Sequence, residues 1–149
     1  MANRSSIHPG RRLGSVLVYL VLCAVWLPGL AACDGGARPG YTTRQQTVEG
    51  LTITLEQPQE VEILKDYEIF VTLTDAAGHP VDGASVFLDL TMPAMPMGAN
   101  QPLAEPLGQG RYRVKGVFTM EGDWQVSVHA NVAGKEYVAR FDQRARLPQ

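Results

Sequence analysis

The chain has 149 residues, enough for one domain of ordinary size and too few for two. With 45% hydrophobic and 19% charged residues, its composition is that of a globular protein and not of a disordered one. Lys and Arg number 13 against 15 Asp and Glu; Arg4, Arg11 and Arg12 all fall in residues 1–32, so the remainder carries 10 basic against 15 acidic residues, too acidic a balance for a DNA or RNA partner.

Residues 1–32 read as a targeting segment. Arg4, Arg11 and Arg12 form a positive start, and an almost unbroken apolar run follows from Leu13 to Leu30. The run ends in Leu30-Ala31-Ala32-Cys33, which resembles the lipobox of bacterial lipoproteins. That resemblance implies cleavage before Cys33 and acylation of its thiol. Cys23 then leaves with the signal peptide, so a disulfide scaffold is excluded. The mature protein is expected to be lipid-anchored on the extracytoplasmic face of the cell membrane, in an oxidising compartment. Residues 33–47 hold the lipidated Cys and a segment rich in Gly, Thr and Gln without an apolar period, which reads as a flexible tether.

Residues 48–149 read as the folded domain, and the period in it is two. Leu51, Ile53 and Leu55 alternate with polar residues in a first strand, and Tyr67, Ile69, Val71 and Leu73 do so in a second. A turn through Asp75 to Gly83 precedes a third strand, in which Val86, Leu88, Leu90 and Met92 share a face. The Pro/Gly-rich stretch from Pro93 to Gly110 has room for one edge strand near Leu103. Tyr112, Val114 and Phe118 then share a face, as do Trp124, Val126, Val128 and Ala130 after a turn at Glu121-Gly122-Asp123. A last strand spans Glu136 to Gln143. The pattern predicts an all-β, immunoglobulin-like antiparallel sandwich of about seven strands.

Residues for catalysis are scarce. After Cys33 the chain has Ser85 and Ser127, His79 and His129, and neither a phosphate loop nor zinc-ligand spacing. Ser127 and His129 sit two apart on one strand face, a poor geometry for a proton relay. The chain is therefore expected not to be an enzyme. The unusual segment is Thr91-Met-Pro-Ala-Met-Pro-Met-Gly98, in which Met92, Met95 and Met97 lie within six residues. Met120 completes the methionines of the mature chain. Two readings stay open. Methionine fills irregular gaps, so these side chains could close one end of the core. Thioether sulfur is also a soft neutral ligand suited to Cu(I), and in an oxidising compartment it cannot be lost to a disulfide. In a sandwich of this order, the end of the third strand and the start of the Trp124 strand share one pole, which gathers all four methionines.

The landmarks Gly78-His-Pro-Val-Asp-Gly-Ala-Ser-Val86, Met92-Pro-Ala-Met-Pro-Met-Gly98, Gly110-Arg-Tyr112 and Met120-Glu-Gly-Asp-Trp124 resemble the YtkA-like/FixH-like domain, from about Leu51 to Phe141. The resemblance implies a β-sandwich of membrane-anchored extracytoplasmic proteins linked to copper handling and to the assembly of haem–copper oxidases. The soft sulfurs and their shared pole point to a Cu(I) site at Met92, Met95, Met97 and Met120, and the resemblance implies an oxidase subunit or assembly factor as partner. Some members carry a His in the Met loop; this chain has none there, which favours thioethers alone. The glycines and the Gly122-Asp-Trp124 run match fold landmarks, not ligands. The leading expectation is a lipid-anchored Cu(I)-binding protein, a copper chaperone or store. The alternative is a structural or interaction sandwich of a membrane complex that binds no metal.

Overall fold

A computed structural model describes residues 38–95 and 98–149; the expected signal peptide, Cys33 and Met97 lie outside them. Among the described residues the regular elements are nine strands: β1 (Tyr41–Val48), β2 (Leu51–Pro58), β3 (Val61–Glu62), β4 (Asp66–Thr74), β5 (Ser85–Thr91), β6 (Ala104–Gly108), β7 (Arg111–Val117), β8 (Gly122–Val132) and β9 (Lys135–Arg146). They form two sheets, in the orders β1-β2-β4-β7-β6 and β3-β9-β8-β5. All pairings are antiparallel except the short β3–β9 contact.

Period-two alternation builds the core. Each predicted strand except the β6 edge turns one row of apolar side chains inward, and Ile53, Leu55, Ile69, Val71, Leu73, Leu88, Leu90, Val114, Val126 and Val128 are fully buried between the sheets. Tyr112, Phe118 and Trp124 are the largest side chains among them. Tyr112 buries its ring and keeps its hydroxyl paired, donating to Val81 O at 3.0 Å and accepting from Ala84 N at 3.1 Å. The phenol thus ties the β4–β5 loop to β7. Gly110 is buried just before β7 at φ +69°, where an added Cβ would stand 2.5 Å from the Leu73 carbonyl oxygen. Only glycine fits that crossing.

The segment expected to be a flexible tether, residues 33–47, is corrected over Tyr41–Thr47, which with Val48 forms β1 and pairs with β2 along its whole length. Its residues are polar and mostly exposed, so it presents no apolar face for a period to reveal. Backbone pairing holds it, closed by a two-residue Glu49-Gly50 turn with both residues at positive φ. Side chains add a second hold. Gln46 Nε2 donates to Arg140 O at 2.5 Å and its Oε1 accepts from Arg140 N at 3.1 Å, while Arg44 donates to Asp142 O at 2.6 Å. These contacts satisfy the edge of β9 that the two-residue β3 leaves uncovered. On the other flank, Pro102 O and Asn100 O each accept a hydrogen bond at 3.0 Å from the amides of Leu88 and Leu90, covering the edge of β5.

Trp124 is 1% exposed and packs edge-on to Phe118 at 5.3 Å between ring centroids. Trp124→Ala should cost about 3–5 kcal/mol, the usual range for deleting a core aromatic. Chemical denaturation of the two proteins measures it; a loss below about 1 kcal/mol would mean that the indole is not the centre of this core.

Candidate metal centre

The chain reaches the methionine segment from β5. Register pairs Thr91 with Gln125, so the exit of β5 lies beside the start of β8. The β7–β8 loop, which carries Met120, closes the same end. Met92 comes first and turns inward; it is 8% exposed and belongs to the core. Its carbonyl accepts a hydrogen bond from Met95 N at 3.0 Å, forming a tight turn with Pro93 at its second position. Proline there presets the backbone angle that such a turn needs. The turn carries Met95 to the surface, where it is 48% exposed. Met97 lies outside the described residues.

Met120 is partly buried and packs against the core. Its carbonyl accepts the indole N–H of Trp124 at 2.9 Å, so the largest buried side chain of the domain fixes the backbone of a methionine at its rim. Gly122 brings the two methionine loops together. A Cβ on Gly122 would stand 2.6 Å from the terminal methyl of Met92, and φ there is +137°. The absent side chain is the space into which the Met92 thioether folds. The structure therefore sets Met92, Met95 and Met120 at one end, with two packed inward and one turned outward. The sequence marks Gly122 only as a turn landmark. Its partner is 30 positions away in the chain, so no local pattern signals the fit.

The histidines are placed elsewhere, and the carboxylates at this end, Glu121 and Asp123, flank Gly122 without forming a cluster. Among the described residues no three His, Cys, Asp or Glu side chains are grouped so as to hold a metal. His79 lies in the β4–β5 turn at the opposite end, with Nδ1 3.3 Å from Asp75 Oδ2. Asp75 Oδ1 accepts from His79 N at 2.8 Å and Ala77 N at 2.9 Å. These bonds, that from the His79 amide above all, hold the Asp75 carboxyl below its ordinary pKa. His129 stacks on Phe87 at 4.5 Å and shares a hydrogen bond with Glu136 at 2.9 Å on the outer face. The thioethers are the soft donors at their end of the sandwich.

Gly122→Ala should destabilise the fold by about 1–3 kcal/mol, from backbone strain and from expulsion of the Met92 methyl. A double-mutant cycle with Met92→Ala should return a coupling of at least about 0.5 kcal/mol. Additivity of the two substitutions would show that the contact carries no energy.

The sequence profile of the YtkA-like family matches residues 45–129. No curated protein matches the sequence. Among solved structures, the soluble domain of PmoD from Methylocystis sp. (Rockwell) is similar at 14% identity and a TM-score of 0.45, over 68% of this chain and 96% of that one. The family match spans more than half of the chain and includes the first methionine loop, the Gly110-Arg-Tyr112 run and the Trp124 strand; the chain belongs to the YtkA-like family.

Proposed function

We propose that this protein is a lipid-anchored, extracytoplasmic Cu(I)-binding protein that stores copper or delivers it for the assembly of a haem–copper oxidase, without catalysing a reaction. The observation that carries the reading is the gathering of methionines at one end of the sandwich, with Met95 exposed on a proline-set turn. A thioether needs no deprotonation to bind a soft cation and suits Cu(I) far better than Zn(II). Met95 and Met97 are the entry ligands in this reading, and Met92 and Met120 the inner ones. The prolines at 93 and 96 restrict the loop before the metal arrives, so less ordering entropy opposes binding. Membership of the YtkA-like family supports the same reading through the copper handling that its resemblance implies.

One observation favours the alternative, an interaction sandwich that binds no metal. Met92 is packed in the core against Gly122, where it already has a structural use. Copper binding requires that thioether to keep a lone pair directed toward the rim.

Competition against a Cu(I) chelator separates the two. The protein should bind one Cu(I), and Met95→Leu/Met97→Leu should lower the affinity at least tenfold, about 1.4 kcal/mol. Leucine keeps volume and apolarity and removes sulfur. Affinity should change little between about pH 5 and 8, since no donor in the set loses a proton; a His or Cys site would weaken at the acid end. If the double variant folds and binds with unchanged affinity, the site lies elsewhere. If the unmodified protein binds no Cu(I), the methionines are core filler and the interaction module is the better reading.

A further inference from the structure

The end of the sandwich that holds the methionines is also the end at which the chain enters it. Tyr41 opens β1 opposite Pro58, the last residue of β2. Gly40 O accepts from Gln59 N at 2.8 Å, and Arg38 O from Tyr41 N at 3.0 Å. The Arg38 guanidinium lies over the Phe70 ring at 4.0 Å, which fixes this entry against the sheet. Four residues, Asp34 to Ala37, separate Arg38 from Cys33. Even fully extended, five peptide steps span no more than about 18 Å. A domain tied at Cys33 therefore keeps this end close to its anchor.

Exposed apolar side chains gather at the same end. Leu64 is 72% exposed and Leu147 is 56% exposed, and they lie on adjoining segments, since Ile63 N donates to Arg146 O at 3.0 Å. Leu64 sits at φ +60°, a region that a bulky residue rarely occupies and that Asn or Gly enters more easily. Its side chain contributes nothing to the core, so the fold alone gives no reason for leucine there. Charges of both signs surround them: Lys65 pairs with Glu62, Arg144 with Asp123 at 3.0 Å, and Arg146 shares a cleft with Glu60 and Glu62. Leu103 and Leu107 are exposed as well, but lie along the β6 flank.

We infer that Leu64 and Leu147 dip into the lipid surface beside the anchor and hold the methionine end toward the membrane. The inference rests on the proposed acylation of Cys33 and goes beyond it, because the anchor keeps this end near the membrane without fixing which of its sides faces the lipid. Apolar insertion of two leucines is weak by itself and becomes effective when the anchor supplies a high local concentration. Copper leaving Met95 would then be released at the membrane surface, within reach of a membrane-embedded acceptor and not of a protein diffusing in the bulk.

The test uses the lipidated full chain on phosphatidylcholine vesicles that carry a headgroup-attached nitroxide lipid. A fluorophore is placed at Glu60→Cys, near the methionine end, or at Ala76→Cys, at the other. Quenching at position 60 should exceed that at position 76 several-fold. Leu64→Asn/Leu147→Gln should remove most of that difference while leaving the denaturation midpoint unchanged or higher. About 0.5 M NaCl should leave the difference intact, because no net charge drives the contact. Equal quenching at the two positions, or a difference that survives the double leucine variant, overturns the proposal while the anchor stands. Failure of the unmodified chain to float with vesicles overturns the anchor, and the orientation falls with it.

Discussion

The methionine end depends on the burial of Trp124. The indole carries more apolar surface than any other core side chain, and its N–H needs a partner once it leaves water. That partner is the carbonyl of Met120, four residues earlier in the chain. The requirement pins the β7–β8 loop at the position where Gly122 can receive the Met92 methyl. Phe118, at the start of that loop, packs perpendicular to the indole, so the loop is held from both of its ends. A side chain chosen for the core thereby sets the backbone that presents the rim.

The same end shows how a small sandwich combines a packed core with an exposed thioether. Inward placement of Met92 and Met120 extends the core, and the Pro93 turn then reverses the chain so that Met95 faces out. Methionine tolerates this dual placement because its unbranched side chain adapts to irregular gaps. Leucine is apolar and of similar volume, but it offers no donor. Under the proposed function the choice of sulfur is the part of the design that packing leaves unexplained.

Edge control is the other constraint on this fold. A nine-stranded sandwich has open strand edges, and here they are satisfied by unequal devices. The Asn100–Leu103 stretch lends two carbonyls to β5, and the Gln46 amide imitates a strand residue toward β9. On the outer face of the larger sheet, Phe70 is only 4% exposed, because Arg38 and Arg111 lie over its ring at 4.0 and 4.8 Å. This cover gives the N-terminal strand two holds, one on the β9 edge and one on the sheet face. It also fixes where the chain comes in, which is what gives the proposed membrane orientation its direction.

Read alone, the sequence determined the sandwich and its inward faces, because burial between two sheets imposes a period of two that no polar strand face can mimic. Leu51 to Leu55, Tyr67 to Leu73 and Trp124 to Ala130 are legible for that reason, and strand order then places the ends of β5 and β8 together. Strand β1 was not legible, since Tyr41–Val48 buries no apolar row and owes its place to backbone pairing and to side chains that reach across to β9. Nor were the Gly122–Met92 contact, the exposure of Met95 and the grouping of Leu64 with Leu147. Each depends on residues brought together by the fold from distant parts of the chain. Periodicity reports what one segment buries; only tertiary structure decides which segment meets it.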